Sequence, residues 1–139
     1  MTAAATRDLI TRYYDAFNRG DTDAMLALVS DDIIHDVNQG GERRIGKDRF
    51  AAFNARMTHH YEETLSDLVI FVAEDGARAA AEFNVSGTYR MTEDGLPPAR
   101  DQTYQLPAGT FFAVDGDLIT RITTYYNLTD WITQVSTQR

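Results

Sequence analysis

Three Asp-Gly steps, Asp75-Gly76, Asp94-Gly95 and Asp115-Gly116, constrain what this chain can fold into more than any other feature. Each separates two runs rich in β-branched and aromatic residues, and Asp-Gly supplies the positive φ that a tight hairpin turn needs. The spacing predicts a meander of long antiparallel strands at about Thr64 to Ala73, Ala77 to Met91, Thr103 to Val114 and Leu118 to Asn127. Pro97 and Pro98 fall in the middle turn, where no ladder hydrogen bond is lost.

The first half is organised differently. Leu9, Ile10, Tyr13, Tyr14 and Phe17 recur at spacings of three and four, which predicts a helix over about Thr6 to Asn18 with one wide apolar stripe. Asn18-Arg19-Gly20 ends it, and Asp21 is placed to cap a shorter helix reaching about Val29. Ile33 to Asn38 reads as a short strand with Ile34, Asp36 and Asn38 on one face, closed by Gln39-Gly40-Gly41. Lys47 to Met57 carries Phe50, Phe53 and Asn54 at helical spacing, a third helix, and Leu128 to Val135 reads as a terminal helical turn. Three helices first and a curled sheet afterward is an α+β order, since parallel βαβ units would alternate. A length of 139 residues fits one domain, 1–139.

Composition excludes several function classes. The chain has no cysteine, so disulfides, thiolate metal sites and a cysteine nucleophile are ruled out together, which fits a reducing compartment. Thirteen basic against 21 acidic residues leave a net charge of −8, which repels phosphate backbones, so no nucleic acid is expected as a partner. Met1 to Tyr14 holds no apolar run of signal-peptide type, and nowhere do enough apolar residues run together to span a bilayer. The expectation is a cytoplasmic protein with no membrane association.

Several near-motifs fail on inspection. Gly41 to Asp48 almost matches a phosphate-binding loop, but Asp48 puts a negative charge where a hydroxyl should ligate Mg²⁺. His59-His60 with Glu62 and Glu63 lacks metal-ligand spacing and reads as a polar helix end, so no metal is expected. The sequons at Asn84 and Asn127 sit in or beside strands, and Arg43, Arg44, Lys47 and Arg49 read as a solvated basic loop. Asp36 stands out instead: a carboxylate between Ile34 and Val37 in a strand risks desolvation, which raises a pKa toward that of a useful base. The bland reading is a hydrated strand end.

Arg12-Tyr13-Tyr14-Asp15 through Gly20-Asp21, then Asp31-Asp32-Ile33 to Asp36, Gly46-Lys47 with Ala51-Ala52-Phe53, and Asp115-Gly116 together resemble the nuclear-transport-factor-2-like superfamily, specifically its ketosteroid isomerase and SnoaL-like relatives. The resemblance implies a cystatin-like α+β barrel, a cone of strongly curved mixed or antiparallel sheet and helices around a central pocket, and homodimers paired through the open sheet face. It also implies Tyr13 as an oxyanion-hole hydroxyl and Asp36 as general base, with no cofactor. The second donor is missing, since the matching position falls near Ala108, and Asn54 replaces a tyrosine after Ala-Ala-Phe, so steroid isomerisation is not expected. In such relatives the face carrying Arg121, Thr123, Tyr125 and Asn127 looks into the cavity, where Arg121 would pair with Asp36. Tyr14, Asn38, Asn54, Tyr104, Arg121, Tyr125 and Asn127 are then the substrate-binding candidates. The implied chemistry is isomerisation, cyclisation or dehydration of a small apolar or amphipathic carbonyl or polyketide-like molecule. A noncatalytic ligand-binding or dimeric scaffold protein is the alternative, and the surroundings of Asp36 discriminate between them.

Overall fold

The computed structural model describes residues 2–39 and 41–138; Met1, and Gly40 in the turn expected at Gln39-Gly40-Gly41, lie outside them. Helix α1 (Ala3–Arg19) starts where the Thr2 hydroxyl accepts the Ala5 N–H at 3.0 Å and stops at Gly20, whose φ of 70° lets the chain turn. Its stripe of Leu9, Ile10, Tyr13 and Tyr14 is buried. Helix α2 (Thr22–Leu26) is capped by Asp21 as expected but ends early, because Val29 already belongs to a strand.

The remaining elements are β1 (Val29–Val37), β2 (Arg44–Ile45), α3 (Lys47–His60), β3 (Tyr61–Val72), β4 (Arg78–Tyr89), β5 (Gln102–Asp115), β6 (Leu118–Tyr126) and α4 (Leu128–Thr137). The strands form one curved sheet in the order β2-β1-β6-β5-β4-β3, antiparallel except for the parallel pair β1 and β6. It is a mixed α+β fold, and the sheet does not close into a barrel: β2 and β3 remain opposite edges. Asp75-Gly76 and Asp115-Gly116 turn the β3-β4 and β5-β6 hairpins, whereas Asp94-Gly95 lies in the longer 90–101 loop, folded back by a hydrogen bond from the Tyr89 hydroxyl to the Pro97 carbonyl at 2.7 Å.

Two irregularities decide which side chains face inward. In β3 the register slips between Ser66 and Val69, with Asp67 at φ 54°, so Leu65 and then Leu68, Ile70 and Val72 pack on the core side. In β5-β6 it slips between Ala113 and Val114, so Ile119 and Ile122, three apart, are both buried. Asn18 at the end of α1 clamps β3 near its slip, donating to the Leu65 carbonyl at 3.1 Å and accepting the Leu65 N–H at 2.9 Å. The main core lies between α1 and the concave face; a second cluster of Tyr89, Tyr104, Leu106, Trp131 and Val135 seats α4. Among the described residues no helix is long and apolar enough to cross a membrane.

Candidate functional site

The concave face of the sheet, α1 and α3 enclose a cavity of about 1000 Å³. Helix α1 contributes Tyr13, Tyr14 and Phe17; α3 contributes Phe50, Phe53, Asn54 and Met57; the strands contribute His35, Glu63, Thr110, Thr124 and Tyr126, among others. Most of the lining is apolar or phenolic, so the few polar groups aimed into it are the ones able to orient or react with a ligand.

Glu63 is the first of these. Its partner is Tyr104, two strands away, whose hydroxyl donates to Glu63 Oε2 at 2.5 Å. Glu63, Gly87 and Tyr104 lie in one cross-strand row over β3, β4 and β5. The phenol ring crosses the middle strand where Gly87 has no side chain: a Cβ there would sit 2.6 Å from Tyr104 Cε2 and closer still to Cζ and the hydroxyl. Glycine at position 87 is therefore what allows Tyr104 to reach the acid. Burial pushes the Glu63 carboxyl above the usual carboxylate range and the Tyr104 bond only partly offsets it. Tyr61 donates similarly to Glu93, which also faces Arg56 at 3.5 Å. Burial raises the phenols of Tyr13, Tyr14 and Tyr104 well above their ordinary range, so all three remain protonated donors.

Another wall is cationic and aromatic. The Phe53 ring is met by the His35 imidazole at 4.5 Å between centroids and by the Arg44 guanidinium at 4.2 Å. His35 is buried, its Nδ1 has no hydrogen-bond partner among the described residues, and burial together with nearby Arg44 depresses its pKa to about 4. The ring is thus neutral at physiological pH.

The structure brings Tyr13, Tyr14 and Asn54 to this cavity and attaches Tyr104 to it through Glu63, but it separates them from the other candidates. His35 and Val37 line the cavity, and Asp36 between them points to the convex face. There Asp36 is paired with Thr123 in register and accepts a hydrogen bond from Arg43 Nε at 2.7 Å. Burial works against its charge, yet the Thr123 hydroxyl and the Arg43 guanidinium prevail and hold the carboxyl below its ordinary pKa. It is a stabilised anion rather than a base awaiting a proton.

The face assigned to β6 is likewise inverted, because Ile122, Thr124 and Tyr126 line the cavity. Arg121 donates to Thr123 Oγ1 at 3.3 Å instead of pairing with Asp36, and Tyr125 meets Phe111 edge-on at 5.9 Å, both on the convex face. Asn38 is a connector whose Oδ1 accepts the Tyr126 N–H at 2.8 Å, and Asn127 caps α4 by accepting the Asp130 N–H at 3.0 Å. Asp36 pairs in register with Thr123, so the two strand faces go together: the alternation that turns His35, Val37, Ile122 and Thr124 inward turns Asp36, Arg121, Thr123 and Tyr125 outward, while Asn38 and Asn127 lie beyond the strand ends.

Glu63 was not among the candidates. Its signal was present: Tyr61, Glu63 and Leu65 alternate as one strand face, and an acid on an apolar strand face is unusual. Extending α3 through the histidines as a polar helix end hid it, since β3 begins directly at Tyr61. In the stretch read as a polar helix end, His60 Nδ1 meets the Met91 carbonyl at 2.8 Å and Glu62 pairs with the guanidinium of Arg90. Among the described residues no group of three or more His, Cys, Asp or Glu could hold a metal ion.

Comparison with known proteins agrees with this architecture. No protein of curated function matches the sequence. Solved structures do: a candidate polyketide cyclase from Xanthomonas campestris is 50% identical with a TM-score of 0.92, covering 96% of this chain and 98% of the other. Candidate polyketide cyclases from a Silicibacter species and from Pseudomonas putida are 57% and 55% identical, with TM-scores of 0.92 and 0.91, each covering 97% of this chain and 98% of theirs. The model of the SnoaL-like domain matches residues 10–122, and with most of the sequence inside that match the chain belongs to the SnoaL-like domain family.

Proposed function

We propose that the cone binds a small, largely apolar carbonyl compound of polyketide type and that Glu63 moves a proton on it. The observation that carries this reading is a carboxyl lining an apolar cavity, pushed upward in pKa by burial and held by one phenol through the gap at Gly87. A carboxyl whose pKa is raised is a stronger base than a solvated one. Tyr13 lines the same cavity and, among the described residues, its hydroxyl has no hydrogen-bond partner, so it is the donor for a developing enolate oxygen. The naming of the 50–57% identical structures as candidate polyketide cyclases supports the substrate class.

Proton transfer can be tested before the natural substrate is known. Deuterium incorporation next to the carbonyl of 2-tetralone, followed by NMR in D₂O, should be accelerated by the protein. It should fall by roughly 100-fold or more in Glu63→Gln, the range expected for losing a general base. Asp36→Asn should retain the rate; an unchanged rate in Glu63→Gln, or a loss confined to Asp36→Asn, refutes the assignment. Binding without exchange would establish the noncatalytic ligand-binding alternative.

The convex face supports a second copy of the chain as partner. Phe71, Ala80, Phe111, Thr123 and Asp36 form one row across it, with Phe71 53% and Phe111 50% exposed, while Asp36 Oδ1 is buried without a hydrogen-bond partner among the described residues. The lack of cysteine supports the cytoplasm as its compartment.

A further inference from the structure

Four arginines line the cavity or its rim: Arg19, Arg44, Arg56 and Arg90. Three are balanced, Arg19 by Asp21 at 3.8 Å, Arg56 by Glu93 at 3.5 Å, and Arg90 by Glu62. Among the described residues no carboxylate lies within ion-pair distance of Arg44, whose nearest acceptor is the Glu42 carbonyl at 3.5 Å. In a chain with a net charge of −8, a cavity cation left without an acid is an exception in need of a cause. Arg44 is also held in place: it stacks at 4.2 Å on Phe53, over which Arg56 sits at 5.5 Å, and the His35 ring packs on the same phenylalanine. Burial and then repulsion by Arg56 disfavour its charge, offset only in part by the Glu42, Asp36 and Glu93 carboxylates beyond ion-pair distance, so an anion bound beside it would add the missing close partner.

We propose that Arg44, assisted by Arg56, binds the anionic head of an amphipathic organic acid whose apolar body fills the cone. The proposal rests on the reading of the cone as a small-molecule site and adds the substrate's charge and direction. Arg44 on β2 and Glu63 on β3 come from opposite edges of the sheet and line the same cavity, so a head held on β2 leaves the apolar body in the space that Glu63 also lines. A planar guanidinium flanked by an aromatic ring suits a carboxylate or sulfonate, which accepts two parallel hydrogen bonds.

The test uses two probes of one skeleton, 1-anilinonaphthalene-8-sulfonate and its uncharged parent N-phenyl-1-naphthylamine, titrated by fluorescence. The sulfonate should bind at least about tenfold more tightly than the parent at low salt, the equivalent of one charge-assisted contact. Arg44→Gln should bring the two affinities together, and Asn54→Trp, which fills the cavity, should weaken both. If the parent binds in an Asn54→Trp-sensitive manner but the sulfonate has no advantage, or Arg44→Gln leaves the advantage intact, the anion site is overturned while the cavity reading stands. If neither probe binds in an Asn54→Trp-sensitive manner, the cavity reading fails and takes the anion site with it.

Discussion

Gly87→Ala is the sharpest perturbation of the arrangement around Glu63. The backbone at position 87 is not in the left-handed region, so alanine is conformationally acceptable there and in a strand would ordinarily stabilise by about 0.5–1 kcal/mol. The added Cβ, however, lies 2.6 Å from Tyr104 Cε2, where ordinary carbon contacts need roughly 3.5 Å or more. The ring must be displaced by about an ångström, and the 2.5 Å bond to Glu63 does not survive that movement. Overpacking of about 1–3 kcal/mol and the loss of a hydrogen bond to an acid, about 1.5–3 kcal/mol, outweigh the intrinsic gain, leaving a net destabilisation of about 1.5–5.5 kcal/mol. Urea unfolding of Gly87→Ala, Tyr104→Ala and the double variant measures it. In the Tyr104→Ala background the obstacle is gone, so Gly87→Ala should become neutral or slightly stabilising, giving a coupling of more than about 2 kcal/mol. NMR titration of Glu63 should show its pKa rise further in Gly87→Ala, because the bond that lowers it is lost. A Gly87→Ala cost that is equal in both backgrounds would refute the steric argument.

Two further outcomes follow from the same physics. His35 has a folded pKa of about 4 against an ordinary 6.5, so between those values the unfolded chain binds the proton more readily and stability rises with pH. Protonating it should remove about 2 kcal/mol between pH 7 and pH 4.5, and urea unfolding of His35→Phe should lack that part of the acid loss; identical slopes would place the imidazole in water. On the convex face, wild-type protein should sediment as a dimer at micromolar concentration and Phe111→Glu as a monomer that still binds N-phenyl-1-naphthylamine; a monomeric wild type would overturn the paired-sheet proposal.

Helix α1 was legible because Leu9, Ile10, Tyr13 and Tyr14 repeat at helical spacing ahead of Gly20, signals that act within one turn of chain, though it starts at Ala3 rather than Thr6 because the Thr2 hydroxyl caps it. The hairpins at Gly76 and Gly116 were legible for the same reason, their positive φ being a local demand on residue type. Asp94-Gly95 carries the same local signal, yet it became part of a wider loop because Tyr89 and Pro97 tie that segment back on itself.

By itself, the order of residues determined the α+β arrangement, the number of long strands and the presence of tyrosines on α1 facing a core, because periodicity and turn chemistry are short-range. It did not determine which carboxylate enters the cone. That choice rests on register slips at Ser66/Val69 and Ala113/Val114, on the β1-β6 pairing that sends Asp36 outward, and on a phenol reaching Glu63 across a glycine from two strands away. Side chains alternate along a strand with period two, so one slipped residue exchanges inside for outside, and only the assembled sheet records where the slips occur.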